Sequence, residues 1–298
     1  MSFVVGAGLL AVVTAVACAL PGMFVVLRRD SMLVDAMSHA VLPGIVVGYL
    51  ITHDLRSPVL VIGAAVAGLL VVLGSEHLAR TGLLTGDAPQ GLVFPALFSI
   101  GVVLVSTRAT NVHLDTHAVL VGDLNLAAFE HLSVSGVSIG PRYLYVMLAV
   151  LLLVVVFLAA TWPRLVASTF DAPHATLLGL RAPTLGTALM FLVAVTVTAG
   201  FHAAGAVLVV ALVVVPGATA LLLARSVSGM LVWTVVVAVA GAVAGFVVAY
   251  LTDAPTSAAM AVLYGAVFAV VLAVVRGRGR RQGGARGRLR ALVATGHD

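Results

Sequence analysis

The sequence predicts an all-α polytopic membrane protein with about nine transmembrane helices. Of the 298 residues, 62% are hydrophobic and only 9% are charged, too few charges to cover the surface of a soluble domain of this length. Apolar runs of about 18–25 residues recur along the chain, the length that crosses ~30 Å of hydrocarbon. These runs also lack the polar face that a large soluble helical core would need.

Taken in order, the runs fall at about 3–27, 33–51, 58–75, 91–107, 143–162, 184–200, 203–223, 231–251 and 258–275. The first has no basic segment before it and stays apolar as far as Leu27, so it is expected to remain as a span rather than be removed as a signal peptide. Between the sixth and seventh runs the only turn signal is Gly200-Phe201-His202, and fusion there would give eight spans. Cytoplasmic loops carry the excess of basic residues. Arg28-Arg29, Arg80, Arg164 with Arg181, Arg225 and the segment from Arg276 fall on one side of a nine-span chain, and only Arg56, Arg108 and Arg142 on the other. The N-terminus is therefore expected outside and the C-terminus in the cytoplasm.

Residues 1–275 read as one transmembrane domain, and 276–298 as an arginine-rich, disordered cytoplasmic tail. Its seven arginines among glycines are expected to rest near anionic lipid headgroups, each worth about 1 kcal/mol there, rather than to bind nucleic acid. All sixteen basic side chains are arginine. A phosphate loop of the Gly-Lys-Ser/Thr kind needs its lysine at the terminal phosphates, so ATP hydrolysis of that type must come from another subunit. The single cysteine, Cys18, excludes an intramolecular disulfide framework and a thiolate metal cluster.

Ionisable groups inside spans are costly, so each is a functional candidate. The second span supplies the best, in Asp35-Ala-Met-Ser38-His39-Ala-Val-Leu-Pro43-Gly44. Asp35 and His39, four residues apart, share one helix face. A carboxylate oxygen and an imidazole nitrogen there suit manganese, zinc or ferrous iron; the bland reading is a buried pair bonded to a neighbouring span. Ser38, turned about 100° away, is expected to bond an adjacent helix. Pro43 takes the donor from the carbonyl of His39, and a helix broken at membrane depth can line an ion site. Weaker candidates lie in the outer loop after the fourth span, where His113-Leu-Asp115-Thr-His117 is followed by Asp123; a solvated loop explains them equally well. His202 reads as an interfacial histidine, Asp253 as a cap, and His297 carries no signal. Pro216-Gly217 predicts a kink, with Thr219 placed to satisfy the freed backbone.

Between the fifth and sixth spans, Asp171 can cap a helix with Pro173 in its first turn, and Gly179 can end it. The result is a short amphipathic cytoplasmic helix over about 168–180. In a chain without its own ATPase, docking to one is its more useful role.

These phrases resemble the permeases of metal-importing ABC systems for manganese, zinc and iron. The resemblance is carried by Phe24-Val-Val-Leu-Arg28-Arg29 with the Asp35–Gly44 phrase, and by Gly86-Asp87-Ala-Pro-Gln-Gly91-Leu-Val-Phe94. It continues in Leu114-Asp115-Thr-His117-Ala-Val-Leu-Val121-Gly122-Asp123, in Thr169-Phe170-Asp171-Ala-Pro173-His174-Ala175, and in Gly205 to Ala211 with Pro216-Gly-Ala-Thr219-Ala220. It covers about residues 5–275. Pro89-Gln90 and Val121 depart from the pattern without touching the candidate ligands.

The resemblance implies the fold of a type II ABC importer permease in a prokaryotic cell membrane. It implies metal coordination by Asp35 and His39 in the translocation path, and ATPase coupling through Phe170, Asp171, Pro173, His174, Leu178 and Gly179. Its partners would be a cytoplasmic ABC ATPase, an extracytoplasmic metal-binding protein and a second permease copy, expected to be identical. No permanently bound cofactor is implied; manganese(II) or zinc(II) would be cargo, and ATP would act only through the partner. The phrase around Asp35 leans slightly to the manganese branch. A proton-coupled carrier is the main rival, using the same pair as a relay. An intramembrane enzyme has less support: no His-Glu-x-x-His or Gly-x-Ser-x-Gly phrase is present, and both glutamates, Glu76 and Glu130, are read as loop residues.

Overall fold

The computed structural model describes residues 3–54, 57–84, 86–108, 124–129, 131–134 and 137–294. Among them, nine helices are long and apolar enough to cross a membrane. They are α1 (Phe3–Arg28), α2 (Ser31–Thr52), α3 (Pro58–Arg80), α4 (Ala88–Arg108), α6 (Arg142–Phe170), α8 (Ala182–Ala204), α9 (Ala206–Leu223), α10 (Val227–Thr252) and α11 (Thr256–Ala294). Two short helices, α5 (Leu124–Phe129) and α7 (Ala172–Leu177), lie outside that set. A hairpin pairs β1 (His131–Val134) antiparallel with β2 (Val137–Pro141), with an irregularity between Leu132 and Ser133.

Helix α1 stands at the centre of the bundle. It is surrounded by α6, α8, α9 and α10, and Leu10, Cys18, Met23 and Phe24 on it are fully buried. Its Pro21-Gly22 step faces Pro216-Gly217 of α9: a side chain at Gly22 would meet the Val213 backbone, and one at Gly217 would lie 3.1 Å from the Met23 Cα. Without lipid-excluding hydrophobicity to draw helices together, such close backbone approach is what van der Waals packing in a bilayer requires. A second layer, α2 with α3 and α4, joins the centre through α8. Helices α4 and α11 stand at the periphery, only 11% of each span being buried, and their exposed leucines, isoleucines and valines fit a lipid-facing surface.

The eight-span alternative is resolved in favour of nine, but the break is not at Gly200–His202, which is helical. It is Gly205, at φ 78° and ψ 164°, that ends α8 and starts α9. Gly200 lies against Val209 across this joint, so the chain doubles back at one residue. Helix α3 runs on to Arg80, so Glu76 is a helical residue and not part of a loop. The backbone of α11 is helical to Ala294, and its membrane-length part ends at Gly277. The connection before α6 is not simply an outer loop, since Leu124 and Ala128 of α5 join the core.

The two span hydroxyls singled out by the sequence bond within their own helices. Ser38 donates to the Val34 carbonyl at 3.0 Å, and not to a neighbouring helix. Thr219 donates to Val215 at 2.8 Å, whereas the carbonyl that Pro216 deprives of a donor is that of Leu212. The predicted rescue by Thr219 therefore does not occur.

Candidate functional site

Helix α2 buries Val34, Ala36, Met37, Ser38 and Ala40 and leaves Asp35 and His39 partly open. The helix is held by its neighbours' backbones. A side chain at Gly44 would lie 2.6 Å from the Ala64 Cα, and one at Gly48 would lie 2.9 Å from the Leu60 Cα, both on α3. On the other side Pro43 packs onto Gly101 of α4. Tight packing on two sides fixes which face of α2 carries the ionisable pair.

Oδ1 of Asp35 and Nε2 of His39 are 3.8 Å apart, with side-chain exposures of 45% and 38%. By the rise of a helix they lie about 6 and 12 Å from its start. A tetrahedral ion about 2.1 Å from each donor would hold them about 3.4 Å apart, so closing by about 0.4 Å lets one ion bridge both. The His39 ring stacks on Phe94 at 5.5 Å and 25°, and meets Phe98 edge-on at 6.1 Å. These α4 rings, one helical turn apart, limit the imidazole's orientations; sequence spacing along α2 contains no sign of them. Among the described residues no three of His, Cys, Asp and Glu converge on one point, so the pair is at most part of a coordination shell.

Asp115, His117 and Asp123 lie outside the described residues. The coupling segment is described. Helix α6 runs through Phe170 and breaks at Asp171, at φ −146° and ψ 82°, leaving only Ala172–Leu177 as α7. The helix is thus shorter than the expected 168–180. Pro173 and the backbone of His174 lie in its first turns. Gly179, at φ 76°, ends it with a paired cap: its N–H donates to Thr176 and that of Leu180 to Ala175, both at 3.0 Å. A left-handed residue at this place closes the last carbonyls of a helix. Phe170, Leu177 and Leu178 are 64%, 86% and 64% exposed, an apolar knob at the end of the bundle.

Beneath that knob is a cavity of about 570 Å³, lined among others by Arg28, Asp30, Ser75, Glu76, Pro173 and Thr176. Glu76 accepts from Arg80 at 2.6 Å and from the Thr187 hydroxyl at 3.4 Å. Burial pushes the Asp30 carboxyl above the ordinary carboxylate range, against the opposing pull of the Arg28 guanidinium. Asp35 and His39 do not line this cavity. In sequence, Arg28 carries no signal beyond the signature phrase and the positive side of the membrane.

Comparison with known proteins follows the same lines. The profile described as the ABC 3 transport family matches residues 1–275. The zinc transport system membrane protein TroD of Treponema pallidum (strain Nichols) is 47% identical over 70% of this chain; the matched stretch is 56% of TroD, little more than half that relative's length. The manganese transport system membrane protein MntD of Bacillus subtilis (strain 168) is 38% identical over 76% of each chain. Among solved structures, PsaBC from Streptococcus pneumoniae in complex with Fab shares the fold with a TM-score of 0.74 at 22% identity, over 91% of both chains.

Proposed function

Because the chain belongs to the ABC 3 transport family, we propose that it is the membrane-spanning permease of an ATP-driven importer for a divalent transition metal, manganese or zinc. Ferrous iron suits the same donors. The observation that carries this reading is the Asp35–His39 pair, 3.8 Å apart and partly open on a membrane-length helix. Ionisable side chains there face protein or water, not lipid. A second copy of this chain, meeting the first across the open face of α2, gives them that environment and supplies further ligands by symmetry.

An external metal-binding protein releases the ion into the path, where Asp35 and His39 hold it briefly; a site in a conduction path must also let go. The N-terminus is outside and the C-terminus cytoplasmic, so the knob of Phe170, Leu177 and Leu178 faces the cytoplasm with Asp171, Pro173, His174 and Gly179. There it docks a separate ABC ATPase. When two ATPases close on ATP, the knobs are drawn together and the helices rock about the metal, alternating its access. This polypeptide itself catalyses no reaction. Protons compete with metal for the His39 nitrogen, so uptake falls as the outside becomes acidic.

The test is ATP hydrolysis by the permease reconstituted with its ATPase and metal-binding protein, with manganese, zinc and iron(II) in turn. Stimulation by one metal, lost in His39→Ala and Asp35→Ala while the complex stays assembled, is expected. Loss of a direct ligand should weaken metal affinity by more than the roughly 10–100-fold that follows loss of an outer-shell partner. Wild-type activity indifferent to every metal would overturn the reading.

A further inference from the structure

We infer that Arg28 is a positioning residue that carries movement of the coupling segment to the metal-holding helix α2. The inference rests on the transport reading above and assigns a part to a residue which that reading leaves idle.

Arg28 is the last residue of α1, and its guanidinium reaches across to the end of α6. Nε donates to the Thr169 Oγ1 and Nη2 to the Ser168 Oγ, each at 3.2 Å. Both hydroxyls in turn donate to the Leu165 carbonyl, at 3.0 and 2.7 Å. Their hydrogens are thereby committed to their own helix, and their lone pairs are turned to the arginine. A Cβ at Gly186 of α8 would stand 2.9 Å from Nη1, so α8 passes close beside the guanidinium. Among the described residues no carboxylate oxygen lies within 4 Å of Arg28. The contact is made to neutral acceptors, weaker than an ion pair and so easier to remake in a second arrangement.

Both ends of the link are mechanically placed. Ser168 and Thr169 immediately precede Phe170 and the break at Asp171, so they move with the docking knob. That knob rests on the cavity lined by Arg28, Pro173 and Thr176, and of the described α7 side chains only Ala175 is buried. There is room beneath it to shift. At the other end the chain turns rigidly from α1 into α2. Arg29 sits at φ 64°; its N–H donates to Val26 at 3.1 Å, and that of Asp30 donates to Val25 at 3.0 Å. This is the paired helix cap again, here without glycine. Helix α2 starts at Ser31 and carries Asp35 within its first turns. A pull on Arg28 therefore reaches the metal pair through one fixed corner and one stiff helix.

The test uses the complete complex in liposomes and measures metal ions moved per ATP hydrolysed, with manganese, zinc and iron(II) each supplied. In Arg28→Ala the complex is expected to assemble and to hydrolyse ATP within about twofold of wild type without metal, while ions per ATP fall by about tenfold or more, within the usual range of coupling between sites. Arg28→Lys should recover part of the loss, since one ammonium reaches one hydroxyl. Ser168→Ala combined with Thr169→Val should reproduce the defect, and adding it to Arg28→Ala should cost nothing further. If Arg28→Ala fails to assemble, the hydroxyl variant decides alone, because it leaves every charge in place. Wild-type ions per ATP in the hydroxyl variant, or in an assembled Arg28→Ala, would overturn the inference. A wild-type complex that moves none of the three metals would instead overturn the transport reading.

Discussion

Replacing Gly44 and Gly265 by alanine should move stability in opposite directions. Alanine is favoured over glycine in any helix interior by up to about 1 kcal/mol. At Gly265 of α11 a new methyl meets nothing within 4 Å, so this gain stands nearly alone. At Gly44 the methyl would lie 2.6 Å from the Ala64 Cα and closer still to the Gly63 carbonyl. Those are backbone atoms, so no rotamer change relieves the overlap, and α2 must retreat from α3 by about 1 Å to restore ordinary contact. Overpacking of this kind costs about 1–3 kcal/mol, and a backbone-on-backbone clash belongs at the upper end. The net loss is then about 2 kcal/mol, or about 4–8 °C of melting temperature, against a rise of at most about 4 °C for Gly265→Ala. Thermal unfolding of the detergent-solubilised protein, followed by exposure of the buried Cys18 to a thiol dye, measures both. Metal uptake by Gly44→Ala should fall as well, because the displaced helix carries Asp35 and His39. Equal shifts in the two variants, or a stabilised Gly44→Ala, would refute the packing argument.

Other consequences are equally open to measurement. Asp30→Asn should raise the melting temperature at pH 7, because burial holds that carboxyl above its ordinary value of 3.8 and so disfavours the ionised form in the folded protein. The penalty is absent below the ordinary value and complete above the raised one, so the gain should vanish as the pH falls through that window; a drop at pH 7 would mean that the attraction of Arg28 prevails. Gly179→Val forces a branched residue to φ 76°, which costs about 1–3 kcal/mol, and should reduce the ATPase that co-purifies with the permease by about tenfold. Tyr264→Phe removes the buried hydroxyl that donates to the Ala238 carbonyl at 2.5 Å, and should cost about 1 kcal/mol in thermal unfolding without changing the metals transported.

The bilayer's demands are written in composition, so the spans were legible: a run must be long and apolar or it does not cross. Where a helix continues into water the signal stops while the hydrogen bonds do not. Hence the apolar run of α3 ends at residue 75, before Glu76, although its backbone continues to Arg80. The sequence does not locate the joint between α8 and α9, because Gly200 and Gly205 look alike in it; in space Gly205 takes the positive φ and Gly200 packs on Val209. The burial of α5 rests on Leu124 and Ala128 finding a core formed by residues remote in sequence. At the site, the four-residue spacing brought Asp35 and His39 together on paper as it does in space. Phe94 and Phe98 against that imidazole, and Arg28 against Ser168 and Thr169, are contacts between distant helices with no local period to announce them.

The one-residue joint at Gly205 bears on the lipid around this protein. Helix α9 has 18 residues, about 27 Å of rise, against ~30 Å of hydrocarbon in a typical bilayer. The reversal therefore sits below the headgroups unless the membrane thins to meet it. At the joint the N–H of Gly205 donates to Phe201 at 2.8 Å and its carbonyl accepts from Val209 at 3.1 Å, so the backbone groups of Gly205 itself are satisfied. Mismatch of this size costs fractions of a kcal/mol per ångström. That is enough to gather shorter acyl chains beside α8 and α9 while longer ones remain along the 29 residues of α6.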